Sequence, residues 1–114
     1  MNTMEYLDTI QDLKLEEIKK ILIKNSDPFK IILFGSRSTG EYHKSSDYDI
    51  CVIKESNIDL NTLEKKLYID LHDTKEAVDL IVTSPENFDL AKNKQYSVFR
   101  VIYNQGKVIY ERHR

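Results

Sequence analysis

The sequence predicts an α/β (α+β) fold in which a small mixed β-sheet is flanked by helices. Three observations lead to this prediction. The 114 residues are enough for a single domain that spans residues 1–114. Hydrophobic residues make up 40% and charged residues 32%, a balance typical of globular chains rather than disordered ones. Helical and strand periodicities alternate along the chain in the order αβ(α)βαβα(β), where parentheses mark the weaker signals.

The first half of the chain predicts one long helix and two strands. Apolar residues recur at helical spacing over residues 3–24, with an interruption near Leu13, and an Asn-Ser-Asp-Pro segment ends that helix. Residues 29–34 are a short apolar run that predicts a buried strand. A polar loop over residues 36–46 follows, and residues 47–53 predict the second strand.

The middle of the chain predicts a helix followed by a third strand. The helix has Asp59 or Asn61 as its cap. Its apolar stripe consists of Leu60, Leu63, Leu67 and Leu71. Residues 77–82 predict the strand.

The C-terminal part predicts a helix and an edge strand. Ser84-Pro85-Glu86 is typical of a helix start. We expect that helix to run to about Asn104, although residues 96–103 are also rich in strand-forming types. Gly106 ends it, and residues 107–110 predict the edge strand.

The charge balance disfavours a nucleic-acid binder. Lys and Arg number 17 against 19 Asp and Glu, a formal net charge of −2, whereas domains that hold a nucleic-acid backbone are usually basic. The C-terminal part alone leans basic, which a solvated face or a protein contact explains more easily. Its basic residues are Lys92, Lys94, Arg100, Lys107, Arg112 and Arg114.

The sequence also argues against membrane insertion and export. Its longest apolar runs have three or four residues, far short of a membrane span. Its first residues lack the basic and apolar regions of a signal peptide. One cysteine, Cys51, excludes an internal disulfide and a cysteine-based zinc cluster. We therefore expect a cytoplasmic protein.

Two of the three glycines, Gly35 and Gly40, bracket the polar loop after the first strand. The junction Gly35-Ser36 follows directly on a buried strand, where a glycine lets the backbone approach a ligand and the next amides can face an anion. The alternative is that Gly35 only makes a turn.

Asp47 and Asp49 lie on either side of Tyr48 at the start of the second strand. Because side chains alternate along a strand, we expect both carboxylates on one face and Tyr48 on the other. Aspartate is depleted in strands, and two like charges on one face repel each other. A divalent cation would remove the repulsion. Alternatively, Asp47 is a loop residue and Asp49 a solvated edge position.

Asp79 lies in the otherwise apolar third strand. A buried carboxylate without a cation or donor costs several kcal/mol, so this residue needs a partner. If the third strand neighbours the second, three carboxylates converge near the glycine-serine turn, which suits two metal ions and a phosphate chain. The alternative is an ion pair between Asp79 and a nearby lysine.

These residues resemble the signature of a known family. Gly35-Ser36, ten intervening residues and then Asp47-x-Asp49 is similar to the G-S-x10-D-x-D pattern of the DNA polymerase β-like nucleotidyltransferase superfamily. Residues 34–40 and 46–50 resemble its minimal nucleotidyltransferase (MNT) branch. Val78-Asp79-Leu80-Ile81 is similar to the strand that carries the third carboxylate of the family.

The resemblance implies a Mg²⁺-dependent nucleotidyltransferase with ATP as its substrate. Asp47 and Asp49 would hold one Mg²⁺, and together with Asp79 they would hold a second. Asp79 could also accept the proton of the attacking hydroxyl.

The same resemblance implies a nucleotide-binding loop. Gly35, Ser36 and Arg37 would bind the β- and γ-phosphates of the triphosphate. Lys44 could assist by its position in the loop, and His43 lies beside it.

The resemblance also implies a partner. In the MNT branch the partner is commonly a helical HEPN protein, and the pair acts as antitoxin and toxin. The expected function is therefore transfer of AMP from ATP to a tyrosine hydroxyl of a HEPN toxin. Two alternatives stay open: adenylyl transfer to a small molecule or RNA end, and a non-catalytic antitoxin that neutralises its partner by binding.

Overall fold

The computed structural model describes the backbone of residues 3–40 and 47–113, and the side chains from residue 13 onward within these ranges. The helices are α1 (Thr3–Ser26), α2 (Ser36–Thr39), α3 (Leu60–Leu71), α4 (Pro85–Ala91) and α5 (Val98–Gln105), and a 3-10 turn, His72–Thr74, follows α3. The strands are β1 (Lys30–Phe34), β2 (Tyr48–Ile53), β3 (Val78–Thr83) and β4 (Lys107–Glu111). None of the helices described is long and apolar enough to cross a membrane.

The four described strands form one mixed sheet in the order β3-β2-β1-β4. β1 pairs antiparallel with both β2 and β4, whereas β2 and β3 are parallel. A parallel pair needs a crossover connection, and α3 supplies it. The prediction of a small mixed sheet flanked by helices is confirmed, and β3 and β4 are its edges.

Helices cover both faces of the sheet. α1 and α3 pack on the first face, whose buried residues are Ile18, Leu22, Ile31, Leu33, Tyr48, Ile50, Val52, Leu63, Leu67, Leu71 and Leu80. α4 and α5 pack on the second face, whose buried residues are Ile32, Cys51, Ile53, Phe88 and Ile102. Because strand side chains alternate, Asp49 and Asp79 belong to the second face.

α1 is continuous through the expected interruption at Leu13. That side chain is 66% exposed, so the irregular spacing of apolar residues reflects an outward-facing leucine rather than a break in the helix. The helix ends where the sequence predicts it. The Ser26 hydroxyl donates to the carbonyl oxygen of Leu22 at 2.6 Å, and Asp27 then adopts a φ of +45°.

The helix start at α3 is also as predicted. Of the two candidate caps, Asp59 is the one used: its Oδ1 accepts hydrogen bonds from the amides of Asn61 at 3.0 Å and Thr62 at 3.3 Å. The leucines that recur every three or four residues after this start, Leu63, Leu67 and Leu71, are buried against the first face of the sheet.

The prediction of one helix over residues 84–104 is wrong, because the chain turns between α4 and α5. Tyr96 in this turn has a φ of +66°. Ser97 starts α5 by accepting a hydrogen bond from the amide of Phe99 at 3.1 Å, a helix-start signal that the apolar spacing concealed. The turn brings the rings of Phe88 and Phe99 edge to face, with centroids 5.8 Å apart.

Candidate active site

The β1–α2 turn and the starts of β2 and β3 meet at one end of the sheet. Phe34, the last residue of β1, is the Cα partner of Asp49, and Asp49 is the Cα partner of Asp79. Gly35 follows Phe34 and therefore lies beside Asp49. Strand pairing thus brings together the three separate segments that carry the predicted site residues.

Gly35 is held against the Asp49 carboxylate. Its φ of +72° is one that residues with a side chain rarely adopt. A Cβ at this position would overlap Oδ2 of Asp49 and lie 3.1 Å from its Cγ. The glycine therefore makes the turn and also leaves the space that the carboxylate occupies.

Asp47 and Asp49 differ in their surroundings. Asp47 immediately precedes β2 and is exposed, whereas Asp49 is inside the strand and partly buried. Burial raises the pKa of the Asp49 carboxyl above its usual value of 3.8, and the negative charges of Asp79 and Asp47 raise this pKa further. Asp47 and Asp79 are thus each close enough to Asp49 to repel its negative charge.

Asp79 is exposed, so the expectation of a buried carboxylate is wrong. The reason is that β3 is an edge strand, which the apolar sequence around Asp79 did not indicate. An ion pair with lysine is also not seen among the described residues. Instead the Tyr68 hydroxyl lies 3.3 Å from Asp79 Oδ1.

Tyr68 is the site neighbour that the sequence analysis missed. Its hydroxyl accepts a hydrogen bond from the amide of Leu80 at 2.8 Å. Burial raises the pKa of Tyr68, so the hydroxyl keeps its proton at neutral pH and can donate to Asp79. In the sequence Tyr68 is only a residue beside the apolar stripe of α3, and no signal distinguishes it from a solvated helix position.

The donor set suits a hard divalent cation. Carboxylate oxygens are ligands that Mg²⁺ prefers, and a cation would relieve the repulsion that, after burial, helps to raise the pKa of Asp49. Within the described part of the chain, no three His, Cys, Asp or Glu side chains are arranged to hold a metal ion by themselves. Mg²⁺ is commonly held by one or two carboxylates plus substrate phosphates rather than by protein ligands alone. The residues present therefore fit Mg²⁺ that arrives with a nucleotide.

The predicted polar loop begins with the short helix α2 instead. Gly35 precedes it, and Gly40 ends it with a left-handed φ of +81°. The Ser38 hydroxyl donates to the carbonyl oxygen of Gly35 at 2.8 Å, which ties the first turn together. Ser36 is its first residue, beside the Gly35–Asp49 contact.

Arg37 is buried, and its guanidinium carbon lies 3.9 Å from the centroid of the Tyr48 ring. Tyr48 points to the first face of the sheet, opposite to Asp49. In the structure Arg37 therefore packs against Tyr48. Its contact with phosphate stays a prediction. Lys44 and His43 lie outside the described residues.

Cys51 follows Asp49 on the second face and is fully buried. Burial raises the pKa of its thiol to about 12. It is a core residue and takes no part in the site.

This fold places the chain in a class of enzymes that transfer nucleotidyl groups. The profile of the family "Polymerase beta, Nucleotidyltransferase" matches residues 16–114, and the chain belongs to that family. It is a nucleotidyltransferase.

The chain also resembles individual proteins whose descriptions are more specific. The chain is 34% identical over 82 residues to the "Putative protein adenylyltransferase MJ0604" of Methanocaldococcus jannaschii, covering 71% of this chain and 77% of that protein. A chain in a crystal structure of a toxin–antitoxin with AMP-PNP is 27% identical, with a TM-score of 0.56 over 86% of this chain and 73% of that one.

A further solved structure supports the fold alone. It contains the tri-AMPylated HEPN toxin of Shewanella oneidensis in complex with its MNT antitoxin. The matching chain there is 24% identical, with a TM-score of 0.58 over 90% of this chain and 73% of that one.

Proposed function

We propose that this protein is a Mg²⁺-dependent adenylyltransferase that moves AMP from ATP onto a tyrosine hydroxyl of a helical HEPN toxin, and thereby acts as its antitoxin in the cytoplasm. The single observation that carries this proposal is the pairing of Asp49 with Asp79 on adjacent strands, next to a glycine turn that has no room for a side chain.

In the proposed site each residue has one task. Asp47 and Asp49 would hold the Mg²⁺ that accompanies the triphosphate, and Asp79 would complete the binding of a second ion. When bound, such ions would supply positive charge against the phosphates and lower the pKa of the attacking hydroxyl. Asp79 is exposed, so an acceptor hydroxyl can reach it and give up its proton to the carboxylate.

The phosphates are bound at the β1–α2 turn, which lies on the side of Asp49 opposite to Asp79. The Ser36 hydroxyl and the backbone amides that follow Gly35 face the β- and γ-phosphates, and Arg37 supplies positive charge nearby. The acceptor oxygen forms a bond to the α-phosphorus while the bond from that phosphorus to the β-phosphate oxygen breaks. Pyrophosphate leaves with the electron pair, and the acceptor carries AMP.

Support for a protein partner comes from the outer surface of α5. Three of its apolar side chains are exposed: Val98 by 44%, Val101 by 46% and Tyr103 by 54%. The far end of this helix approaches the site, because the carbonyl oxygen of Gln105 lies 3.5 Å from the Ser38 hydroxyl. A partner bound to α5 would therefore stand next to the phosphate-binding turn.

The test is label transfer from α-labelled ATP in the presence of Mg²⁺ to any protein that co-purifies with this chain, with Asp47→Asn as the inactive variant. We expect Asp47-dependent label on a tyrosine of the partner, located by mass spectrometry. Label on RNA or a small molecule instead would contradict the proposed acceptor. A tightly bound partner that stays unlabelled would contradict adenylyl transfer itself.

The second candidate is an antitoxin that acts by binding alone. It is favoured by one observation: the described carboxylates are not arranged to hold a metal without help. An Asp49→Asn variant separates the two, since it should still bind the partner. If this variant still neutralises the toxin, binding suffices and catalysis is not required.

A further inference from the structure

Tyr68 links α3 to the free edge of the sheet. β3 is an edge strand, and the amide of Leu80 points away from β2. The Tyr68 hydroxyl satisfies this amide at 2.8 Å and lies 3.4 Å from the carbonyl oxygen of the same residue. The hydroxyl is therefore fixed to the backbone of the strand that carries Asp79.

The same hydroxyl reaches the Asp79 side chain. The distance from Tyr68 Oη to Asp79 Oδ1 is 3.3 Å, so the single hydroxyl proton can be donated either to this carboxylate oxygen or to the carbonyl oxygen of Leu80. An exposed aspartate on an edge strand has several accessible rotamers. The Tyr68 hydroxyl, which is hydrogen-bonded to the backbone of Leu80, favours the Asp79 rotamers in which Oδ1 faces the edge of the sheet. Oδ2 is then left for a cation or for the proton of the acceptor hydroxyl.

We propose that Tyr68 is a positioning residue for Asp79, and that it orients this carboxylate for Mg²⁺ and for the acceptor hydroxyl. The proposal rests on the proposed function, because it assigns to Asp79 a place in the same site. Partners of this kind, which hydrogen-bond a metal-binding carboxylate from behind, typically change metal affinity 10–100-fold when they are removed.

A purely structural role for Tyr68 predicts something different. Capping the Leu80 amide would stabilise the edge strand without regard to Asp79. Its loss would lower the melting temperature, and it would change metal binding only in proportion to unfolding. The two roles are separated by asking whether the effect of Tyr68 depends on the Asp79 carboxylate.

The experiment measures binding of Mn²⁺ to the full chain with the non-hydrolysable analogue AMP-CPP, by enhancement of water-proton relaxation, alongside the melting temperature. We expect Tyr68→Phe to weaken Mn²⁺ binding roughly tenfold. Tyr96→Phe, which changes a fully exposed tyrosine away from the site, is the matched control and should bind as the wild type does. In an Asp79→Asn background, Tyr68→Phe should cause no further loss.

Each other outcome overturns the proposal. Wild-type affinity in Tyr68→Phe would show that the hydroxyl does not orient Asp79. A tenfold loss that persists in the Asp79→Asn background would show that Tyr68 acts through the fold. If the wild type with AMP-CPP binds no Mn²⁺ at all, the proposed metal-dependent function fails first, and this result is distinguishable from the other two.

Discussion

Gly35 and Asp49 are in such close contact that no side chain fits at position 35. The glycine has a φ of +72°, and the space that its Cβ would fill is taken by Oδ2 of Asp49. The backbone of the β1–α2 turn therefore lies directly against one of the carboxylates that we assign to Mg²⁺. In the proposed function, this contact couples the turn that we assign to the phosphates to the strand that we assign to Mg²⁺.

Gly35→Ala should damage both stability and metal binding. The backbone strain alone is of the order of 1–3 kcal/mol, and the new methyl group must also displace Asp49. We expect a lower free energy of unfolding in urea and a loss of Mn²⁺ binding in the presence of AMP-CPP.

The control for this prediction is Gly40→Ala. Gly40 also has a positive φ, +81°, but none of the residues that the structure describes lies within 4 Å of its Cβ position. It should lose only about 1–2 kcal/mol for the left-handed backbone and retain Mn²⁺ binding. Equal effects of the two substitutions would show that the contact with Asp49 is unimportant.

Asp49→Asn should be as stable as the wild type, or more stable, at neutral pH. The folded state raises the pKa of this carboxyl above 3.8, so the folded protein holds the proton more tightly than the unfolded chain does. Stability from this group is therefore greatest below about 3.8 and is lost as the pH rises through the raised pKa. Urea unfolding at a series of pH values should show the wild type weakening relative to Asp49→Asn over that window.

Added Mg²⁺ and nucleotide should reverse this order at pH 7. The cation binds the wild-type carboxylates and raises the wild-type melting temperature, whereas Asp49→Asn gains little. A wild-type protein that is more stable than Asp49→Asn without any metal would contradict the repulsion that we infer between Asp49 and its two neighbours, Asp47 and Asp79.

Arg37 gives a prediction that separates packing from charge. Lys at this position keeps the charge but not the planar group that lies over Tyr48. Arg37→Lys should therefore lose roughly 1 kcal/mol of stability while its affinity for ATP changes little. Arg37→Met, which loses the charge, should bind ATP clearly less well by calorimetry. Wild-type ATP affinity in Arg37→Met would show that the residue only packs.

Cys51 should be unreactive in the folded protein. Its side chain is fully buried and its thiol pKa is raised to about 12, so almost no thiolate exists near neutral pH. A thiol reagent such as DTNB should react only after the protein is unfolded in urea. Fast labelling of the native protein would mean that the second face of the sheet opens easily.

Most of the fold followed from local signals in the sequence. The cap at Asp59 and the leucine spacing of α3 each reflect interactions within a few residues, and such patterns can be read from the amino-acid sequence. The α4–α5 turn was missed because its helix start at Ser97 lies inside an apolar stretch whose folding back depends on the meeting of Phe88 and Phe99.

The candidate site was only partly visible in the sequence. The alternation of Asp47 and Asp49 and the glycine before Ser36 could be seen, and strand pairing then placed Asp79 beside them. The exposure of Asp79 could not be predicted, because it depends on β3 being the edge of the sheet. The role of Tyr68 could not be predicted either, because its hydrogen-bond partners on β3 are eleven and twelve residues away along the chain.

The most direct test of the central claim measures transfer of label from α-labelled ATP to the co-purifying partner. Four proteins are compared: the wild type, Asp49→Asn, Asp79→Asn and the control Asp89→Asn. Asp89 is an exposed aspartate on α4 that pairs with Lys92, away from the site. Melting temperatures are measured on the same samples. We predict Mg²⁺-dependent transfer by the wild type and the control, and a loss of roughly 100-fold or more in both site variants without a loss of stability. Normal transfer by either folded site variant would contradict the assignment of these aspartates as the catalytic centre.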